Sequence, residues 1–487
     1  MNHFLTSFMA LALCATQAVA QDYQVKVSEA DEPMQTGKFA PTWQSLEQYK
    51  VPEWFRNAKF GIWAHWGPQC VEGSGDWMAR GMYQEGSDQY NYHVEHYGHP
   101  SEIGFKDILP LFKAEHWNPD SLVQFYKSIG AQYFFALGNH HDNYDLWDSK
   151  YQPWNSKNIG PHRDILAGWA AAAKKAGLPF GISFHAEHAW IWYEPSQRYD
   201  RTGPKMGVSY DGTLTKADGK GKWWEGLDPQ DLYAQRHPLS RGSWADGMIH
   251  QQWAWGNGAS LDAINRYNPD LIYFDCTVLP LYPVSDAGMK IAAHFYNHNM
   301  ATHKGKLEGV IFGKILNEEQ RKAMVWDVER GAPNEILSQP WQSCSCIGGW
   351  HYNTSIYEHN GYKSAATVVR LLADIVSKNG NLLLSVPLRA DGTFDEKEYK
   401  ILCEFGAWMK VNKQAIINTR PWTVFGEGPI AESKVELHAQ GFNEDAYSKA
   451  TAAEIRFTQT GKSLYAICLA QPGGLAGQPV RLRTREV

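Results

Sequence analysis

Along this chain a short apolar run that closes on a charged or imidazole side chain recurs, and between the runs lie stretches with the spacing of amphipathic helices. Phe60-Gly61-Ile62-Trp63-Ala64 leads to His65, and Tyr133-Phe134-Phe135-Ala136-Leu137 leads to Asn139-His140-His141-Asp142. Phe180-Gly181-Ile182-Ser183-Phe184 leads to His185, and Leu271-Ile272-Tyr273-Phe274 leads to Asp275. Runs that are apolar at every position, and not at alternate ones, belong to strands buried on both faces, as in a parallel sheet. Residues 309–316 and 323–328, the latter ending at Glu329, continue the series; 343–348 is a weaker seventh member and 381–386 an eighth.

The intervening stretches read as helices. Residues 119–130 put Leu122, Phe125, Tyr126 and Ile129 on one face, with Pro in the first turn and Gly at the stop. Residues 163–177 are Ala-rich and end at Gly177, 262–267 close a helix before the Asp275 strand, and 287–299 are helical. Residues 362–378 carry Ala366, Val369, Leu372 and Val376 on one face and stop at Asn379-Gly380. Strand and helix thus alternate through about eight units over ~350 residues, the order of a (β/α)8-like TIM barrel. The connection through about residue 117 is too long for a plain βα loop and is expected to help build a site. From residue 416 to 487 the pattern turns to short alternating runs at 435–438, 453–457 and 463–467. These predict a small C-terminal antiparallel β-sandwich, short at about 70 residues, which either lacks its last strands or leans on the barrel for closure.

Composition narrows the class. With 487 residues, 43% hydrophobic and 20% charged, the chain suits one large α/β domain and a smaller companion. A net charge of −6 without a basic block argues against a nucleic-acid surface. The 21 Trp, 24 Tyr and 19 His suit a site that stacks weakly polar rings such as sugars. Residues 1–20 read as a signal peptide, because the apolar stretch from Phe4 to Leu13 is followed by Ala18-Val19-Ala20, a small-x-small cleavage pattern. Leu13 is too bulky to precede a lipidated Cys14. A mature chain from Gln21, with its barrel over 21–415, is therefore expected to be secreted or periplasmic, and no other segment approaches the ~18 apolar residues of a membrane span. Cys70, Cys276, Cys344, Cys346, Cys403 and Cys468 lack the Cys-x-x-Cys spacing of a zinc site, and export permits oxidation of some of them.

The polar residues that close the strands carry the chemistry. One histidine alone is more often a satisfied core residue, but His65, His140, His141, His185, Asp275 and Glu329 would all meet at the C-terminal rim of one barrel. Desolvating them together is costly unless a ligand uses them. Two acids on such a rim suggest a retaining glycosidase, with Asp275 as nucleophile and Glu329 as acid/base; imidazoles and indoles would hold the sugar. Glu318 and Glu319 stand behind Glu329, whose alternative is a surface pair with Arg330 or a neighbour.

These motifs resemble glycoside hydrolase family 29, the α-L-fucosidases. Lys59-Phe60-Gly61-Ile62-Trp63-Ala64-His65-Trp66-Gly67-Pro68 is similar to that family's first-strand signature, and His140-His141-Asp142 through Leu146-Trp147-Asp148-Ser149 to its double-histidine signature. Tyr273-Phe274-Asp275 resembles its nucleophile strand, and Trp341 through Trp350-His351-Tyr352, Lys378-Asn379-Gly380-Asn381-Leu382-Leu383-Leu384 and the Asp391-Gly392 turn follow in order. The resemblance implies a barrel followed by a β-sandwich, no metal or other cofactor, and retaining, exo-acting release of terminal L-fucose from a fucosylated oligosaccharide or polysaccharide. It assigns the nucleophile to Asp275 and sugar binding to His65, Trp77, His140 and His141, with Asp76, His185 and Trp350 as further pocket residues. Asp76 stands where many members have Glu, Asn143 where Gly is usual and His185 where Tyr is common; these departures touch the pocket and bear on which sugar and which leaving group it takes.

Three rivals share these residues. One is a glycosidase of the same fold acting on a related α-linked deoxy-sugar. Another is a metal-dependent barrel hydrolase with His140, His141, His185, His188 and Asp275 as ligands, against which stand a first strand with a lone His65 and a fourth strand that ends without lysine. The third is a fucose-binding protein with a dead site, disfavoured because both acids are present.

Overall fold

A computed structural model describes residues 32–236, 256–275, 278–283, 286–433, 437 and 441–471. Eight parallel strands close into a barrel in sequence order: β1 (Phe60–Ala64), β2 (Tyr133–Leu137), β3 (Phe180–Phe184), β4 (Leu271–Phe274), β5 (Val310–Gly313), β6 (Val325–Glu329), β7 (Trp341–Cys346) and β8 (Gly380–Ser385), with β8 pairing back to β1. The apolar runs are strands because they are covered on both sides, and β1 to β5, β7 and β8 are buried throughout. The sixth strand begins at Val325, since Ala323 closes a short helix, Gln320–Ala323.

Inside the barrel large rings need small neighbours. A Cβ on Gly61 would stand 2.3 Å from the Tyr133 ring, so β1 approaches β2 at that level only as glycine. The Tyr133 hydroxyl donates to Gln342 Oε1 at 2.9 Å, and Gln342 Nε2 in turn donates to Asp327 Oδ1 at 2.8 Å. Asp327 also accepts from the Tyr273 hydroxyl at 3.2 Å and from Cys344 Sγ at 3.0 Å. Burial pushes its carboxyl up to about 6 against these donors and the Lys314 charge. This polar layer floors the mouth of the barrel.

The helices start and stop where side chains satisfy their ends. Asn118 caps Pro119–Ser128 by accepting from the Ser121 N–H, and Asp164 caps Ile165–Ala176 by accepting from the Ala167 N–H. Ile165–Ala176 ends on Gly177 in the left-handed region. Ser364 caps Ala365–Ser377, whose buried side is Val368, Leu371, Leu372, Ile375 and Val376; Ala366, placed inside by periodicity, is exposed. That helix lies between the barrel and the C-terminal sheet and buries residues on two sides; of the face expected from periodicity Leu372 and Val376 are buried, Val369 is half-buried and Ala366 alone is exposed. A seventeen-residue helix, Glu396–Asn412, capped by Asp395, follows β8. Helix Asp88–His96 lies within the long connection after β1.

Beyond the last barrel helix, β9 (Arg420–Glu427), β10 (Ile455–Thr460) and β11 (Ser463–Cys468) form an antiparallel sheet in the order β11-β10-β9. The runs at 453–457 and 463–467 fall on β10 and β11, while all of 435–438 but Leu437 lies outside the described residues. Helix Ala365–Ser377 packs against β9 and β10 where a second sheet would lie. Its Asp374 accepts from Arg456 Nε at 2.5 Å, from Lys378 Nζ at 2.7 Å and from the Tyr447 hydroxyl at 2.5 Å. Residues 1–20, and with them the leader and its cleavage pattern, lie outside the described residues. Cys70, Cys344, Cys346, Cys403 and Cys468 are unpaired, and no described helix is long and apolar enough to cross a membrane.

Candidate active site

Because the strands are parallel, their C-terminal ends share one rim, and the residue after or at each end points to a common space. His65 follows β1, His140 and His141 follow β2, His185 follows β3, Asp275 follows β4, Lys314 follows β5, Glu329 ends β6, and the loop after β7 brings Trp350 and His351. A cavity of about 310 Å³ opens there, at the small end of the ~300–1,000 Å³ range of small-molecule sites. It is lined by His65, Asp76, Trp77, His140, His141, His185, Asp275, Glu329 and Trp350, so all nine residues picked out from the sequence meet in one place. Glu318 and Glu319 do not reach it; both are exposed, and Glu319 pairs with Lys322.

Lysine 314 organises the two acids. Its Nζ contacts Asp275 Oδ1 and lies 2.8 Å from Glu329 Oε2. Burial lowers an ammonium's pKa, yet the two carboxylates hold that of Lys314 well above its usual value, so it is a cation. Burial likewise opposes charge on Asp275, but Lys314, His185 and His141 outweigh it and keep the carboxyl well below its usual range. His141 Nε2 and His185 Nδ1 stand 3.3 and 3.2 Å from Asp275 Oδ2, and His188 Nε2 lies 2.8 Å from the Asp275 carbonyl oxygen. Arg330 is turned away from Glu329 and pairs with Glu444 at 2.7 Å, which removes the surface Glu329–Arg330 pair as an alternative.

The imidazoles divide by charge. His141 Nδ1 lies 2.7 Å from the His185 carbonyl oxygen, an acceptor only, so Nδ1 carries a proton. Its Nε2 faces a carboxylate, and that partner raises its pKa despite burial. The other rings are pushed the opposite way. Burial, with neighbouring imidazoles, holds His65 and His140 well below their usual range, and burial lowers His185 and His188 to about 4. A neutral ring has one donor and one acceptor nitrogen, and the protein takes up one nitrogen of His65 and of His140, which leaves the other for a ligand hydroxyl. His65 Nδ1 is placed by Ser385 Oγ at 2.9 Å and His140 Nδ1 by Gln69 Nε2 at 2.9 Å. His185 Nε2 and His351 Nε2 are buried and meet no hydrogen-bond partner among the described residues.

Asp76 Oδ1 lies 2.7 Å from His351 Nδ1 and 3.9 Å from His140 Nε2. Trp77 has a left-handed backbone conformation, is 37% exposed and stands edge-on to His141. Trp350 packs on His65 with ring centres 5.0 Å apart. Asn143 also has a positive φ, 59°, and its amide bonds to the Asp231 and Leu232 carbonyls, which explains how Asn serves where Gly is usual. Two sets of side chains could also converge on a cation: His140, His141 and His185, and Asp76, His140 and His351.

The cavity also uses residues the sequence reading passed over: Trp63, Tyr273, Lys314, Cys344 and Phe442. Lys314 was findable. It follows the apolar run Val310–Gly313 as Asp275 follows its own, but Ile315 and Leu316 prolong the run and hide the lysine inside an overlong strand. Phe442 comes from the C-terminal part, and nothing local to it points at the barrel.

A closed parallel barrel whose C-terminal mouth pairs two acids among imidazole and indole rings defines a barrel glycoside hydrolase. The family model described as Alpha-L-fucosidase matches residues 26–414, and the chain belongs to that family. It is 25% identical over 412 residues to the tissue alpha-L-fucosidase of Bos taurus, covering 80% of this chain and 74% of that one. With the alpha-L-fucosidase of Branchiostoma floridae it shares 26% identity over 393 residues, 79% and 76% of the two chains. The crystal structure of Thermotoga maritima alpha-fucosidase superposes with a TM-score of 0.62 at 24% identity, over 90% of this chain and 87% of that one, a likeness of fold.

Proposed function

We propose that this chain is a retaining, exo-acting α-L-fucosidase that releases terminal L-fucose from fucosylated glycans by double displacement. The observation that carries the reading is Lys314 bonded to both Asp275 and Glu329. One ammonium touching both carboxylates holds their nearest oxygens within about two hydrogen-bond lengths, ~5.5 Å, the separation of a nucleophile and its acid/base and too short for an intervening water.

Asp275, ionised by its cationic surroundings, attacks the anomeric carbon while Glu329, which enters this step protonated with Lys314 engaged by Asp275, gives its proton to the leaving oxygen. The ester that forms carries no charge at Asp275. Lys314 is then left to Glu329 in the step where that group must be a carboxylate and take a proton from water. The neutral imidazoles of His65, His140 and His185 bind sugar hydroxyls, and the indoles of Trp77 and Trp350 offer apolar faces. The small cavity, with Trp63 and Tyr273 in its lining, supports attack at a chain end. Export belongs to the same proposal and rests on the Ala18-Val19-Ala20 cleavage pattern.

Proton NMR of the sugar first released from an aryl α-L-fucoside tests the mechanism: the α anomer is expected, and the β anomer first would refute retention. A second reading, a metal-dependent hydrolase, has the two convergent sets His140/His141/His185 and Asp76/His140/His351 in its favour. Activity that survives exhaustive chelation decides against it.

A further inference from the structure

The C-terminal part of the chain reaches into the barrel mouth at one point. Residues 441–444 run along the end of β6: the Phe442 N–H donates to the Glu329 carbonyl at 2.9 Å and the Glu444 N–H to the Arg330 carbonyl at 3.1 Å. The Ala332 N–H donates to Asn443 Oδ1 at 2.9 Å, and Asn443 Nδ2 returns a bond to the Ala332 carbonyl at 3.1 Å. Glu444 binds Arg330 Nε at 2.7 Å, Lys363 Nζ at 3.0 Å and the Ser345 hydroxyl at 2.5 Å. Only glycine allows the approach, because a Cβ at Gly441 would lie 2.1 Å from the Glu329 carbonyl oxygen.

This clasp fixes an aromatic ring in an unfavourable position. Phe442 has φ 58°, rare for a bulky residue, and the residue is 48% exposed while lining the cavity. The Arg330 guanidinium lies over the ring, 6.0 Å from its centre. An exposed phenyl group on a strained backbone gains nothing for folding, and such strain is found where a site uses it.

We propose that Phe442 is the stacking platform of a subsite for the leaving-group sugar, taking the apolar face of a pyranose ring. This rests on the fucosidase reading above. There the fucose fills the closed end of the cavity, and the leaving oxygen must lie at Glu329 to receive its proton. The residue attached to that oxygen emerges past Glu329, and Phe442, whose backbone N–H donates to the Glu329 carbonyl, presents its side chain to the cavity beside it.

The test compares an α-L-fucosyl disaccharide with α-L-fucosyl fluoride, whose leaving group has no ring. For Phe442→Ala, kcat/KM on the disaccharide should fall roughly tenfold, mainly through KM, with the fluoride and inhibition by free L-fucose unchanged. Phe442→Tyr should keep the wild-type ratio of the two substrates. Equal losses on both substrates, or none on the disaccharide, would overturn the platform while the fucosidase reading stands. Wild-type protein that cleaves neither substrate would overturn that reading and the platform with it.

Discussion

Two clusters of buried charge in this molecule are made of the same parts and behave differently. Under the C-terminal sheet, Asp374 is held by Lys378, Arg456 and Tyr447, which occupy both of its carboxylate oxygens, and Arg456 goes on to Glu454 at 3.2 Å. At the barrel mouth, Asp275 is held by Lys314, His141 and His185, but all four of these side chains line a cavity, which the groups around Asp374 do not. In both, burial pushes the aspartate's pKa up and the cations more than reverse it. A buried carboxylate with cations is therefore not catalytic in itself. What separates the two is the cavity in front of Asp275, and under the proposed function removing the aspartate should cost activity at one place and stability at the other.

The largest effect expected is at the mouth. Asp275→Asn should lower kcat by about 10³-fold or more with little change in urea midpoint. A variant that unfolds early, or turns over near normally, would erase the contrast. Glu329→Ala should slow natural linkages by roughly 10²–10⁴-fold and an aryl fucoside with a good leaving group much less, with azide restoring turnover. Equal losses for good and poor leaving groups, without rescue, would make Glu329 a sugar-binding residue.

At the junction, Asp374→Asn should cost ~3–5 kcal/mol by urea titration, because it leaves buried cations uncompensated, while kcat per folded molecule holds. The sign with pH follows from the lowered pKa: the carboxylate's contribution is present above the ordinary aspartate value of ~3.9 and is lost as pH falls through the lower folded value. Asp374→Asn should therefore flatten the acid arm of the stability curve, and an unchanged arm would place the acid sensitivity elsewhere. The smallest effect expected is on Lys314→Met. Removing the main charge that opposes desolvation of Asp275 should raise its pKa and move the acid limb of kcat/KM to higher pH, with Lys314→Arg keeping the limb in place. A limb that stays put in Lys314→Met would show that the imidazoles suffice.

Most of the barrel is legible in the chain because a buried parallel strand leaves a local mark, an apolar run, and the barrel's geometry puts the end of each run on one rim. That is why His65, His140, His141, His185, Asp275 and Glu329 could be gathered without coordinates. Signals that are not local were lost. Helix Ala365–Ser377 is buried on two sides, so one-face periodicity misplaced Ala366. Strand β9 is half-buried or exposed along its length and carries no alternation to mark it. Lys314 was absorbed into an apolar run, and Phe442 belongs to the cavity only through hydrogen bonds between segments over a hundred residues apart.

The bridge between Gly441 and Glu329 also bears on how such chains recombine. A C-terminal part joined to its barrel by a linker alone can be exchanged between relatives as an inert appendage. Here the exchanged piece would arrive hydrogen-bonded to the backbone of the proposed proton donor and would carry its own ring to the mouth. Swapping the tail of one relative for another would therefore transplant leaving-group preference, and it would succeed only where glycine stands at the crossing.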